Sequence, residues 1–211
     1  MVRFALAAAV LALAAPAHAL FAAEAASLGA AASFEPVVGP ALSAVGARPL
    51  ALRPVQGTVS GGTGGAPVSL AFDRRAWTVK GGVNGAPVDL FIDHEARTIK
   101  GGANGSPVDL HFYWTTERII TRGGANLSQV DLLLDWGTKT LTGTANNSSV
   151  RIAFDLEAGT VKGHANHAPV DLKHDAVSGR VTGSLNARPV DVTLTNLDLT
   201  DLLPHFYLFL K

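Results

Sequence analysis

The residues of this chain that could do chemistry are histidines beside carboxylates, and a separate group of aromatic and basic side chains. His164, His167 and His174 lie close together in sequence, near Asp171 and Asp175. Imidazole and carboxylate groups form a ligand set that zinc accepts. The chain has no Cys, so thiolate chemistry and disulfides are excluded. It also has no GxSxG, HExxH or P-loop motif. Whether the histidines converge depends on the elements that carry them.

Those elements are set by a repeat of about 20 residues, seen in GGVNGAPVDLFID, GGANGSPVDLHFY and GHANHAPVDLKHD. Each unit places two strand-like segments around a turn, which predicts a β-hairpin. Successive turns are 20 residues apart, except for a spacing of 22 after the third. The equivalent turn position falls on Gly64, Asn84, Asn104, Asn126, Asn146, Asn166 and Asn186.

Charge distinguishes between the two architectures that such a unit permits. In a parallel β-solenoid, Asp89, Asp109 and Asp131 would stack as a like-charge ladder at about 4.8 Å, which is unfavourable without a bound ion. In an antiparallel hairpin with a two-residue turn, Lys80 faces Asp89 instead. The same register opposes a basic residue to Asp in four units, and no unit opposes like charges at this site. Charge therefore favours hairpins.

Turn chemistry supports the same register. Both central residues of a type I′ turn need φ > 0, and Asn-Gly is its preferred pair. Asn84-Gly85 and Asn104-Gly105 have this sequence. At the other end of each hairpin, the segment 155–159 begins with Asp and ends with Gly, which predicts a four-residue loop closed by a left-handed residue. We call these two ends of the array the Asn-turn end and the Asp-turn end.

The predicted fold is therefore all-β: an antiparallel meander of seven hairpins and up to 14 strands over residues 55–196, closed as a shallow, pseudo-symmetric barrel. A two-sheet sandwich and a β-solenoid are the alternatives. Along each strand, apolar residues alternate with polar ones and define one apolar face. Because eight strands just enclose their own side chains, 14 strands would leave a hole. The apolar tail Leu202 to Leu210, or a lipid or other apolar ligand, could fill it.

In this repeat architecture, the array resembles the β-flower group of bacterial proteins, which are shallow, pseudo-symmetric β-barrels with hairpin petals around an apolar centre. The resemblance covers residues 55–196 and rests on the repeat rather than on a diagnostic motif. It implies no catalytic residue. A likeness in shape between that group and tubby-like lipid-binding domains brings apolar or lipid ligands into consideration.

The hairpin register separates the histidines. It places His164 on the polar face, His167 in a turn and His174 on the apolar face near the Asp-turn end. The sequence thus predicts no metal site, no cofactor and no enzyme. Aromatic and basic residues gather instead at the Asp-turn end, in a pattern typical of contact with an amphiphile or a membrane interface. These candidate residues are Trp77, Tyr113, Trp114, Trp136, Arg74, Arg75 and Arg97.

The segments outside the array have their own predictions. Residues 1–19 carry Arg3, an apolar run and the small-x-small site Ala17-His18-Ala19, which predicts a cleaved signal peptide and export to the periplasm, the cell surface or the medium. Residues 20–54 form an Ala/Gly/Pro-rich linker, and residues 197–211 an apolar tail. With 17 basic and 17 acidic residues, the chain offers no long-range attraction to nucleic acid. The sequence indicates no particular protein partner.

We therefore expect an exported, non-enzymatic repeat protein that binds an apolar or amphiphilic ligand, or a membrane surface, through the Asp-turn end. One alternative is a structural or adhesive surface module without a small-molecule ligand. Another is an outer-membrane β-barrel. Strands of about eight residues are shorter than the roughly 9–11 needed to span, and two aromatic girdles are missing, which argues against the second alternative.

Overall fold

The computed structural model describes residues 54–210. The predicted signal peptide and, apart from Pro54, the predicted linker lie outside the described residues. Fourteen strands follow one another along the chain, and after them come a short α-helix, α1 (Leu199–Leu202), and a 3₁₀ segment (Leu203–Phe209). The strands are β1 (Gln56–Thr63), β2 (Ala66–Asp73), β3 (Thr78–Val83), β4 (Ala86–Asp93), β5 (Thr98–Ala103), β6 (Ser106–Trp114), β7 (Arg118–Ala125), β8 (Ser128–Asp135), β9 (Thr140–Ala145), β10 (Ser148–Asp155), β11 (Thr160–Ala165), β12 (Ala168–Asp175), β13 (Arg180–Leu185) and β14 (Arg188–Thr195).

The sheet is a closed barrel. Each strand pairs antiparallel with the next one in sequence, and β1 pairs antiparallel with β14, with Thr58 opposite Thr195 and Thr63 opposite Val190. Closure leaves no strand with an unpaired edge. The predicted closed barrel of antiparallel hairpins is confirmed, and the alternatives of a two-sheet sandwich and a β-solenoid are wrong.

The turn chemistry at the Asn-turn end is also confirmed. Asn84 and Gly85 have φ of 53° and 76°, so both central residues lie in the left-handed region. Lys80 consequently faces Asp89, with Nζ 3.2 Å from Oδ1. Units without the second Gly keep the same geometry, with φ of 55° to 58° at that position; the residues there are Leu127, Asn147, His167 and Ala187.

Loops at the Asp-turn end are held by their first residue. The Oδ1 atom of Asp93 accepts hydrogen bonds from the backbone N–H groups of Glu95 and Ala96, at 2.9 and 2.8 Å. In every such loop except the one between β6 and β7, the last residue is left-handed whether or not it is Gly, as at Trp77, where φ is 54°. The Trp77 carbonyl then accepts from the Ile92 N–H at 2.8 Å, which ties each loop to the neighbouring hairpin.

One glycine in each hairpin permits a close approach of adjacent strands. Gly101 has φ of 141°, and a Cβ placed on it would lie 2.0 Å from the carbonyl oxygen of Asp89 on the next strand. No other residue type fits there. The equivalent glycines share a φ of 132° to 149°; they are Gly61, Gly81, Gly123, Gly143, Gly163 and Gly183.

The C-terminal tail lies within the apolar core that the inward-facing side chains form. α1 begins at a capping box, in which the Asp198 side chain accepts from the backbone N–H groups of Thr200 and Asp201. The side chains that follow are almost all buried, and Tyr207, Leu208 and Leu210 are fully so. The tail is thus what fills much of the space that 14 strands enclose.

Side chains of the Asn turns anchor the end of the tail. The Asn104 Nδ2 donates to the Leu208 carbonyl at 3.0 Å, and the Asn186 Nδ2 donates to the Phe209 carbonyl at 3.0 Å. Asn126 similarly donates to the Tyr207 carbonyl at 3.2 Å. The bonds to Leu208 and Phe209 pair carbonyls at the end of the 3₁₀ segment, while the Tyr207 carbonyl also accepts from the Leu210 N–H. The turn asparagines therefore combine a backbone role with an anchoring role.

Candidate functional site

A cavity of about 360 Å³ remains at the Asp-turn end, between the tail and the barrel wall formed by β2 to β7. Its lining is mainly apolar because the inward-facing positions of these strands carry large aliphatic and aromatic residues. Apolar lining residues include Phe72, Ile92, Ile99, Phe112, Ile119 and, from the tail, Leu197.

A cluster of three rings in edge-on and tilted contact lies along the cavity. The His94 ring lies between Trp77 and Trp114, with centroid distances of 3.9 and 5.0 Å. Trp77 is 46% exposed and Trp114 is 51% exposed, so the cavity reaches the surface beside them. Within the described residues 54–210, neither ring nitrogen of His94 is in contact with solvent or hydrogen-bonded. Burial lowers the pKa of His94, and the nearby Asp93 offsets this only in part, so the imidazole is neutral near pH 7.

The 22-residue spacing builds part of this wall. The hairpin of β6 and β7 is one residue pair longer than its neighbours, and the extra pair is Trp114 opposite Ile119. Its loop is closed by Thr115 in place of Asp, whose Oγ1 accepts from the N–H groups of Glu117 and Arg118. Both residues of the added pair line the cavity. A two-residue departure from the repeat therefore produces a wall that the regular units lack.

The tail contributes a second imidazole. His205 is buried, lines the cavity and lies 5.6 Å from the Phe72 ring, centroid to centroid. Its Nδ1 atom is buried without a hydrogen-bond partner. Burial lowers the pKa of His205 to about 4, so this ring is also neutral at pH 7. Deeper along the tail, the Tyr207 hydroxyl is buried without a partner, and burial raises the pKa of Tyr207 far above its usual range.

The charged groups beside the cavity are engaged with one another. The guanidinium of Arg74 donates to the carbonyls of Pro54 and Asn196, at 2.7 and 3.0 Å, and to the Asp201 Oδ2 at 2.9 Å. Asp73 accepts from two N–H groups of its own loop, and these hydrogen bonds hold the pKa of its carboxyl below its usual range. Arg74 therefore joins the first loop to the start of the tail.

Of the seven candidate residues from the sequence, the structure brings three together: Arg74, Trp77 and Trp114 line the cavity. Trp136 lies apart from it and packs edge-on against Phe154, with centroids 5.6 Å apart.

The remaining candidates lie outside the barrel interior. Tyr113 points outward, and the Arg97 guanidinium lies over its ring at 5.4 Å. Arg75 is exposed within its loop.

Sequence reasoning did not select His94, Ile119, Thr121 or His205 as site residues. A signal for His94 was available. His94 directly follows the loop residue Asp93, and Arg74, which follows Asp73 in the same way, also lines the cavity. Thr121 offered another signal, since it is the one polar residue at a position that is otherwise Val, Ile or Leu in the returning strands β3, β5, β9, β11 and β13.

The histidines considered for metal binding lie where the register puts them. His164 is exposed on the outer face, His167 is exposed in its turn, and His174 is buried on the inner face. Within residues 54–210, no group of three or more His, Asp or Glu side chains is placed to hold a metal ion. Among the same residues, none of the helices has the length and apolar character needed to cross a membrane.

No protein-family model, curated protein or solved structure matches this chain. Its class is defined by its own architecture, which is a closed fourteen-stranded antiparallel barrel of hairpin repeats. The tail occupies its interior, and an apolar cavity lies beside the tail.

Proposed function

We propose that this protein is an exported, non-enzymatic barrel of the β-flower type that binds an apolar or amphiphilic small molecule at the Asp-turn end. The observation that carries the proposal is the cavity of about 360 Å³ beside Trp77 and Trp114. Small-molecule sites are concave, mostly apolar, about 300–1,000 Å³ in volume, and contain few polar groups. This cavity has each of those properties and lies at the small end of the size range.

The distribution of polarity supports a ligand inside the barrel over lipid around it. On the outer face, ion pairs recur near the middle of the strands, such as Lys80 with Asp89 and Lys162 with Asp171, and all four side chains are more than half exposed. Charged groups at mid-height on a lipid-facing wall are destabilising. The outer face is therefore suited to water, which argues against the outer-membrane barrel.

Binding to a membrane surface is a second candidate, because loops at the Asp-turn end expose apolar side chains. Val177 is 98% exposed and Leu156 is 40% exposed, and both lie in loops at the same end as Trp77 and Trp114. Apolar side chains at one end of a protein can insert into the headgroup region. The structural or adhesive module is the function that remains if neither a ligand nor a membrane is bound.

The test uses N-phenyl-1-naphthylamine, an uncharged apolar fluorophore, titrated into the purified mature protein. We expect saturable binding, together with a blue shift in tryptophan emission. Replacing both Trp77 and Trp114 by Phe should remove that shift, whereas Trp136→Phe should leave it, because Trp136 lies away from the cavity.

Two neighbouring residues on β4 provide a matched control. Ile92 faces the cavity, while Phe91 faces outward and is 53% exposed. Ile92→Trp should fill the cavity and weaken binding at least about tenfold, since a filled pocket excludes the probe, whereas Phe91→Trp should bind like the parent. If the probe does not bind saturably, or both variants bind equally well, the cavity is not the site. Flotation with phosphatidylglycerol vesicles tests the membrane candidate in parallel.

A further inference from the structure

We infer that the molecule held in this cavity is uncharged, with an apolar body and one hydroxyl-type group that hydrogen-bonds to a buried histidine. The inference rests on the proposed function and adds the chemical class of the ligand. Three features of the lining support it: the state of the charged groups, the unpartnered imidazole nitrogens, and the apolar character of the remaining wall.

Within the part of the chain that the structure describes, the charged groups on the lining leave no free counter-charge for an ionic ligand. Among residues 54–210, Arg74 is the one Lys or Arg side chain on the lining, and its guanidinium is already bound to two carbonyls and to Asp201. Asp73 and Asp201 are the acidic residues there, so a carboxylate ligand would meet two negative groups and one committed cation. An ammonium ligand would have to compete with Arg74 for Asp201. Bringing a charge of either sign out of water without a partner is costly.

The imidazoles, by contrast, have free hydrogen-bonding capacity. Both nitrogens of His94 and the Nδ1 of His205 are buried without partners, and both rings are neutral at pH 7. A neutral imidazole has one donor nitrogen and one acceptor nitrogen. A hydroxyl group both donates and accepts, so it can bond either nitrogen whichever tautomer is present. Because these nitrogens are closed to solvent, the ring has to turn towards the cavity for the bond to form. Leaving such a buried group unpaired destabilises the protein, and a ligand that pairs with it gains that energy.

The rest of the wall fixes the apolar body. The cavity is surrounded by the apolar side chains of Phe72, Ile99, Phe112 and Ile119. Trp77 and Trp114 lie where the cavity reaches the surface. Apart from the indole N–H groups of the two Trp residues, these side chains offer contact area but no directional bond. The lining also carries the hydroxyls of Thr78, Thr121 and Thr200, and His94 near the surface and His205 on the tail differ from them in having buried nitrogens without partners.

The experiment compares four probes that share an octyl chain and differ at its end: octan-1-ol, nonane, octylammonium and nonanoate. Each displaces N-phenyl-1-naphthylamine from the mature protein at pH 7.5. We expect octan-1-ol to bind about 2- to 10-fold more tightly than nonane, the gain of one hydrogen bond. Octylammonium and nonanoate should each bind at least about 10-fold more weakly than octan-1-ol.

Variants at the histidines identify the group that makes the bond. His94→Phe and His205→Phe should bind nonane like the parent, and at least one should lose the preference for octan-1-ol over nonane. The corresponding Gln variant should restore that preference, because its amide also donates and accepts. Thermal melts establish that each variant is folded. His94 lies at the surface end of the cavity, so its substitution remains usable if the His205 variant does not fold.

The outcomes separate this inference from the proposed function. If neither the fluorophore nor any octyl probe binds, the proposed function fails and the inference fails with it. If nonane binds as tightly as octan-1-ol, or nonanoate binds most tightly, the cavity binds ligands but the inferred class is wrong. Unchanged selectivity in both folded histidine variants would likewise overturn it.

Discussion

Substitution of Gly101 by Ala provides the sharpest test of the barrel geometry. Gly101 lies within β5 with φ of 141°, and an added Cβ would lie 2.0 Å from the Asp89 oxygen and 3.1 Å from the Leu90 Cα on β4. Both contacts are with backbone, so a rotamer change cannot relieve them. β4 is itself paired on both sides within a closed ring, which restricts its movement.

The expected cost follows from two contributions. A non-Gly residue in this backbone region is strained by about 1–3 kcal/mol. Moving the strands apart to clear the clash weakens backbone hydrogen bonds, each contributing about 0.5–1.5 kcal/mol. We therefore expect Gly101→Ala to lower the free energy of unfolding by about 3 kcal/mol or more, which is a large part of the total for a typical domain.

The adjacent glycine is the matched control. A Cβ on Gly102 would lie 3.7 Å from the nearest atom, the Ser106 carbonyl oxygen, which is an ordinary contact. Equivalent positions in later units carry Thr144, His164 and Ser184. Gly102→Ala should change stability by no more than about 0.5 kcal/mol. Urea unfolding followed by circular dichroism measures both variants, and equal stabilities would refute the proposed strand geometry.

Three further predictions concern register, turns and pH. The pair Val79→Cys with Leu90→Cys should form a disulfide because these residues are directly opposed, whereas Val79→Cys with Ile99→Cys should not; the reverse result on non-reducing gels would contradict the hairpin register. Gly105→Val should destabilise the protein by about 1 kcal/mol or more, and Gly105→Asn by much less, because φ there is 75°; equal urea midpoints would contradict a type I′ turn. Because buried His205 is neutral, the free energy of unfolding has its full value above pH 6.5, and about 3 kcal/mol of it is lost as the pH falls towards 4. His205→Phe should therefore flatten the acid side of the curve of stability against pH. An unchanged curve would show that His205 is not buried.

The sequence allowed the barrel to be predicted because its determinants are local and recur. Each unit carries its own turn, its own alternation and its own opposed pair, such as Lys80 with Asp89. A wrong register would have shown itself as a conflict in several units at once. The closing pair of β1 and β14 follows once seven similar hairpins curve in the same sense, although no single residue specifies it.

The position of the tail was open at the level of sequence, for a physical reason. An apolar segment can cover a core, enter it or contact another molecule, and composition does not distinguish among these. What places the tail inside is a set of bonds between distant residues, such as Asn104 with the Leu208 carbonyl and Arg74 with Asp201. The sequence pattern assigned Asn104 to a turn, and that assignment accounts fully for its backbone without indicating what its side chain binds.

The cavity was harder still to foresee, because it arises where the repeat is broken rather than where it is kept. A perfectly regular ring would treat every wall segment alike, and the tail would meet the same surface on all sides. Here one hairpin is lengthened by the pair Trp114 and Ile119, Thr121 replaces an aliphatic residue, and His94 follows its loop Asp. All of these departures fall between β4 and β7, and all of them line the same cavity. The convergence of these three departures on one cavity is a structural reason to look for the ligand there.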